Sequence, residues 1–169
     1  MFAVRPALSS DVARIADLHS RSADAAFTKF IEREHLLSSR AELEQDWTIR
    51  LRDQSKFDRV AFVADTGESI VGVVEAGREP SDRTIGRLSR GYIDPTWWDS
   101  GVGSKLLDEA IAHLRRLGCQ TAMGWIMEHN TRAQAYMGHK GMTPTGRRQP
   151  SCEATAPPGT EDIQYRMSI

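Results

Sequence analysis

Between Tyr92 and Leu107 the chain reads YIDPTWWDSGVGSKLL, and no other stretch limits its fold so narrowly. Tyr92 and Ile93 favour extended backbone, and Pro95 ends a ladder because it has no N–H to donate. Beyond them Val102, Leu106, Leu107, Ala110, Ile111 and Leu114 recur at helical spacing, which predicts a helix over Gly101–Leu117 with one apolar face. Gly101 and Gly103 stand where the first N–H groups of that helix have no partner inside it. Unpaired N–H groups at the positive end of a helix dipole form an anion site, and glycines let a phosphate approach the backbone. The stretch therefore reads as strand, tight loop and phosphate-binding helix.

Two familiar phosphate loops do not fit. A nucleoside-triphosphate loop needs a lysine after its second glycine, but Ser104 follows Gly103 and the four-residue gap is missing. A dinucleotide fingerprint needs a third glycine where Leu106 stands, and an acid about 20 residues on. What remains resembles the GNAT superfamily of acyl-CoA-dependent N-acetyltransferases. Their signature is a strand of tyrosine, valine, any residue and proline, then a loop of Arg or Gln-x-x-Gly-x-Gly or Ala. Tyr92, Ile93, Pro95, Gly101, Gly103, Ser104, Leu106 and Leu107 match it in order, with Trp98 in the place of the Arg or Gln. A second motif, Asn-x-x-Ala-x-x-Phe-Tyr-x-x-x-Gly-Phe, is met by Asn130, Ala133, Gly141 and Met142, with Tyr136 in the Phe place and Met137 in the Tyr place.

The resemblance implies acetyl-CoA as co-substrate and no metal. Its contacts are expected from Tyr92, Ile93, Trp98, Asp99, Ser100, Gly101, Val102, Gly103, Ser104, Asn130 and Tyr136. It also implies an α/β fold: a mixed, mostly antiparallel sheet, splayed at the acyl-CoA site and flanked by helices. The pantetheine arm would lie in the gap between splayed strands and bond to the backbone at Ile93, as an added strand would. Asn130 has a second reading as a helix N-cap, and both can hold at once.

The rest of the chain agrees with that layout. Phe2–Arg5 is expected as a short strand, and Ser9, Ser10 and Asp11 offer caps for a helix bearing Val12, Ile15, Ala16 and Leu18. Phe27–Leu37 mixes aromatic and charged residues without a period. Ser39 with Glu42 forms a capping box before Leu43, Trp47 and Leu51. Asp58–Ala64 and Ile70–Ala76 read as a hairpin, followed by a polar loop with Pro80 and a strand over Thr84–Ile93. After the phosphate helix, Gly118 suits its C-terminus. A strand over Cys119–Met127, a helix over Thr131–Lys140 ended by Gly141, and strands over Met142–Arg148 and Ile163–Ile169 complete a single domain spanning 1–169.

Composition closes off several functions. Lysine and arginine number 22 against 23 acids, so there is no basic excess to grip a nucleic-acid backbone. No apolar run approaches the ~20 residues of a membrane span, and Arg5, Asp11 and Arg14 interrupt any signal-peptide core. Cys119 and Cys152 have no zinc or redox spacing, which fits a reducing cytoplasm. His19, His35, His113 and His139 make no metal motif either. The partner expected is a small-molecule or peptide amine, without nucleic acid or membrane, and a homodimer is left open.

Acetyl transfer from a thioester to an amine needs a neutral amine and a departing thiolate. Holding a lysine-like amine of pKa about 10.4 neutral at pH 7 costs roughly 4.6 kcal/mol, whereas releasing a thiolate of pKa about 8.5 costs only about 2 kcal/mol. The base is the harder requirement. The family's acid falls on Met137, leaving Tyr136, about 100° round the helix, as the candidate. The family's occasional glutamate base falls on Arg87, which cannot serve. Glu128, with His129 beside it, is the expected base, and Glu75 and Asp94 stand behind them. Trp97 and Trp98 are expected to pack the strand–helix corner. Acceptor contacts are expected from Asp24, Phe27, Phe30, Glu32, Glu34 and the 149–162 loop, whose acids would suit a cation. An alternative from another class is an acyl-CoA sensor with little or no catalysis, suggested by Arg87 and Met137.

Overall fold

The computed structural model describes residues 1–27, 39–151 and 159–169. In chain order these form β1 (Ala3–Pro6), α1 (Val12–Phe27), α2 (Arg40–Arg52), β2 (Val60–Asp65), β3 (Ile70–Glu79), β4 (Asp82–Ile93), α3 (Val102–Arg116), β5 (Thr121–Met127), α4 (Thr131–His139), β6 (Thr143–Pro150) and β7 (Glu161–Ser168). The strands make one seven-stranded sheet in the order β1-β2-β3-β4-β5-β7-β6. Every pairing is antiparallel except β4 with β5. The mixed, mostly antiparallel sheet is the one expected.

Alternation along the strands sends opposite residues to two helical layers. Ala61, Val63, Ile70 and Val73 meet Ile15, Ala16 and Leu18 of α1 and Leu43 and Trp47 of α2. On the other face Ala76, Leu88, Ala122, Ile126 and Tyr165 meet Leu107, Ala110, Ile111 and Leu114 of α3. Val102 and Leu106 of the same helix meet Phe62, Ala64 and Val71. Helix α3 can sit this close because the sheet beneath it has glycines at two points. A Cβ on Gly72 would come within 2.7 Å of Leu106, and one on Gly86 within 2.5 Å of Leu114.

The caps form as their residue types dictate. Ser39 accepts from the amide of Glu42, whose carboxylate accepts from the amide of Ser39 at 2.7 Å. Asn130 Oδ1 accepts from the Ala133 amide at 3.1 Å. Gly118 (φ +81°) and Gly141 (φ +84°) take the left-handed conformation just past the ends of α3 and α4. The structure departs from the sequence expectation by two residues at several strand starts, and at two of them a hydrogen bond gives the reason. The loop expected after Pro80 is a tight turn, because the Asp82 carboxylate accepts the Thr84 amide and starts β4 early. The strand expected from Cys119 begins at Thr121, because the Cys119 amide donates to Leu114 O and still belongs to the helix end.

Two features of β4 create the site. Tyr92 stands opposite Val73 and Ser89 opposite Glu75, so Arg90 and Gly91 bulge against Val74 alone, with Arg90 at φ +52°. The parallel ladder to β5 ends at Leu88–Gly124, while both strands continue. Beyond that pair the sheet is split. No helix among the described residues is long and apolar enough to cross a membrane.

Candidate functional site at the split of the sheet

Beyond the last β4–β5 pair, the outward edge of β4 has no strand partner. The Asp94 amide donates to Val71 O, so Asp94 bonds toward β3 and its neighbour Ile93 faces the gap. By the same alternation Gly91 faces it too. The Ile93 carbonyl accepts from Ser22 Oγ at 3.0 Å and from Trp98 Nε1 at 3.2 Å, which leaves the Ile93 N–H as the open backbone group.

The chain then crosses a 3₁₀ turn at Pro95–Trp97, capped by the Asp94 carboxylate, which accepts from the Thr96 amide at 3.0 Å. Burial would raise the Asp94 pKa. The Thr96 amide and hydroxyl, with Arg21, outweigh that and hold it below the usual range. Trp97 packs edge-on against Phe2, as expected of a corner residue. The Trp98 amide donates to Pro95 O within the turn. Arg132 of α4 lies 4.2 Å over the Trp98 ring and pairs with Asp99 at 2.9 Å, tying the glycine turn to the next helix.

At the start of α3 the Lys105 amide is the first to bond back, to Gly101 O. The amides of Val102, Gly103 and Ser104 precede it and point out of the helix end. Gly101 is the N-cap at φ +87°, a conformation that explains the glycine, with nothing within 4 Å of a Cβ built there. Gly103 is glycine for another reason. Its Cβ would stand 3.3 Å from Tyr136 Oη, so α4 rather than open space is its neighbour.

Next to the split is a cavity of about 470 Å³, with Gly91, Tyr92, Gly124, Ile126, Met127, Asn130, Ala133 and Met137 in its walls. Its lining also includes Ser89 and the arginines Arg50, Arg59, Arg78, Arg87 and Arg90. Behind that lining sits Glu75, 1% exposed. Its Oε2 accepts from Arg50 at 3.0 Å and from Ser89 Oγ at 3.3 Å, while its Oε1 has no hydrogen-bond partner. Such an orphaned buried oxygen is costly and marks a site rather than a packing solution. His19 stacks on Tyr92 at 4.0 Å and accepts from Trp47 Nε1 at 3.3 Å. Burial, with the Arg90 charge, lowers its pKa to about 4, so it is neutral at pH 7.

The sequence-predicted residues divide. Tyr92, Asn130 and the backbone of Ile93 flank the cavity or its gap, and Asp99, Ser100, Gly101, Val102, Gly103 and Ser104 form the turn and helix start beside it. Tyr136 and Glu128 do not line the cavity. The Tyr136 hydroxyl is buried facing Gly103, and burial together with Asp108 pushes its pKa up to about 12 against the opposing effect of Ser104. Glu128 accepts from the Glu161 amide and pairs with Arg148 at 3.0 Å, both of which hold it below the usual carboxylate range. Of the expected acceptor residues, Phe30, Glu32 and Glu34 lie outside the described residues, as do 152–158 of the 149–162 loop and Cys152. The wall formed by described residues is rich in arginine. Sequence reasoning missed Arg50, Arg59, Arg90 and Asp162. An Arg-Gly pair inside a strand was the one signal that could have located the bulge. Cys119 is buried, and burial raises its pKa, which suits packing and not nucleophilic attack. Among the described residues no group of three or more His, Cys, Asp or Glu is placed to hold a metal.

The sequence profile of the acetyltransferase (GNAT) family matches residues 20–142. A comparison with curated protein sequences gives no match. Solved structures do. PaiA N-acetyltransferase from Thermoplasma acidophilum, in complex with coenzyme A, is 15% identical with a TM-score of 0.77, covering 100% of this chain and 99% of that one. YncA from Salmonella typhimurium, with acetyl-CoA, is 18% identical with a TM-score of 0.74 over 99% and 94% of the two chains. Ribosomal-protein-alanine N-acetyltransferase from Brucella melitensis is 19% identical with a TM-score of 0.72 over 99% of each. At these identities the likeness is one of fold.

Proposed function

Because the chain belongs to the acetyltransferase (GNAT) family, we propose that it moves an acetyl group from acetyl-CoA to a primary amine of a small molecule or peptide, by direct attack in a ternary complex. The observation that carries this reading is the unpaired edge of β4, open at Gly91 and Ile93 and ending at the exposed amides of α3. The residues present suit the co-substrate. The Ile93 N–H would hold the amide-rich arm, and the amides of Val102, Gly103 and Ser104 with the turn at Asp99–Gly101 would hold the pyrophosphate. Bound there, acetyl-CoA supplies an activated acyl group and a thiolate leaving group. The inert setting of Cys119 supports transfer without a covalent enzyme intermediate.

The amine loses its proton as the C–N bond forms, and we assign that proton to Glu75 acting through Ser89. Ser89 lines the cavity and already donates to Glu75, so it can take the amine proton as it passes its own on. Glu128 is the rival base. It is committed to Arg148 and the Glu161 amide, and losing affinity for protons makes it the weaker acceptor. For the departing sulfur, Tyr136 faces Gly103 and does not line the cavity, so we assign the proton to solvent. The near-neutral net charge of −1 favours action without nucleic acid, and we take the compartment to be cytoplasmic, away from membranes. The alternative, an acyl-CoA sensor, draws on Met137, an apolar side chain in the cavity wall where the family carries its acid.

Free-thiol release from acetyl-CoA across a panel of amines tests the reading. Turnover well above background is expected, and none with any amine would leave the sensor. Glu75→Gln should lower kcat by about 10²–10⁴-fold with little change in KM for acetyl-CoA, while Glu128→Gln stays within a few-fold. The reverse pattern would return the base to Glu128.

A further inference from the structure

Of the five arginines in the cavity wall, not all are equally committed. Arg50 is held by Asp46 and Glu75. Arg78 is held by the Leu117 carbonyl and by Asp58. Among the described residues Arg87 has only Glu79, at 3.9 Å and with a half-exposed side chain, a geometry that binds weakly. Arg59 makes no ion pair among the described residues. Arg87 is two residues before Ser89 on β4, so it projects from the same sheet face as Ser89 and the opposing Glu75. Among the described residues Asp162 is the one carboxylate in the wall.

Resting on the acetyl-transfer reading above, we propose that the acceptor is a small amine that also bears a carboxylate, held by Arg87 and Arg59 with its amine toward Ser89. A guanidinium fork matches a carboxylate with two parallel hydrogen bonds, and Arg87 and Arg59 have donors to spare. The same cationic wall disfavours a bound ammonium, which promotes the neutral amine that attack requires. It also repels a polycation. The cavity of about 470 Å³ must hold the acyl-bearing arm as well, which limits the acceptor to a small molecule or a chain end.

The test compares amino acids with their carboxamides and with spermidine, by thiol release and by binding. The acids should exceed their carboxamides at least tenfold in kcat/KM, with spermidine poorest. Arg87→Gln and Arg59→Gln should each raise KM for the acid about tenfold or more and abolish the preference over the carboxamide. KM for acetyl-CoA should stay within twofold, and Arg115→Gln, on the exposed side of α3, should change nothing. In parallel, N-acetylated amino acids and their carboxamides are titrated against the fluorescence of Trp125, which also lines the cavity. Tighter binding of the acids, lost in Arg87→Gln, supports the anion site even if no amine is turned over, in which case only the acetyl-transfer reading fails. Carboxamides or spermidine preferred, or no discrimination in binding, overturns the proposal. Arginine variants that weaken acetyl-CoA instead also overturn it, since the anion served would then be a phosphate of the co-substrate.

Discussion

The two sides of the split sheet are built on different principles. On the α3 side the site is backbone: helix-end amides, a left-handed Gly101, the open Ile93 N–H, and side chains that are short or apolar. Facing α1 and α2 it is side-chain charge: Arg50, Glu75, Ser89 and Arg90, drawn from one helix and two strands. A backbone site is written in consecutive residues, because local dihedrals create it. A charge site needs distant residues brought together and desolvated, so its members are individually unremarkable in the sequence. The first side should tolerate side-chain changes that preserve backbone shape, and the second should not.

The sharpest contrast is between two ion pairs. Removing Arg50 leaves Glu75 buried without its counter-charge, so Arg50→Met should cost about 3–5 kcal/mol in chemical denaturation. Arg132→Met breaks the exposed Asp99 pair on the α3 side and should leave the midpoint unchanged within error. Equal effects would erase the distinction between the two sides.

A second difference appears with pH. His19, on the α1 side, has its folded pKa lowered to about 4 from an ordinary 6.5. The unfolded chain therefore takes up a proton before the native one does. The stability this contributes is present above about pH 6.5 and is lost as pH falls toward 4, by roughly 2–3 kcal/mol. His19→Gln should flatten the stability profile in that window, and an unchanged slope would show that His19 titrates normally in the folded protein.

On the α3 side the expected effects are smaller and fall on ligand affinity. Gly103→Val should weaken CoA binding at least about tenfold, or about 1.4 kcal/mol, by calorimetry. The structure supplies a cause that sharpens this, since the new Cβ meets Tyr136 and not open space. Adding Tyr136→Ala should therefore recover part of the affinity, and no recovery would mean that the loss comes from a Cβ blocking the phosphate itself. Trp98→Gln, which removes the bond to Ile93 O and the stack under Arg132, should leave affinity within a few-fold, as expected of a ligand held by the amides further on.

The elements were legible residue by residue wherever the signal was local. Capping chemistry at Ser39–Glu42 and Asn130, the helix-ending glycines 118 and 141, and the apolar face of α3 all form as read. The candidate site was legible only on its backbone side. Tyr136 and Glu128 were chosen for nearness in sequence to the motifs, and a helix turns about 100° per residue, so one position's offset carries Tyr136 to Gly103 and Met137 to the cavity. Glu75 was one acid among several until strand register placed it opposite Ser89 and packing set Arg50 of α2 over it.

By itself, then, the sequence determined the strand–turn–helix with its open amide end, because dihedral preference, periodicity and capping act over a few adjacent residues. Only the tertiary structure decided which carboxylate is buried beside the cavity, which arginines keep free donors, and where the β4 bulge opens the sheet. Those depend on strand pairing and desolvation between residues tens of positions apart, and no local pattern records them.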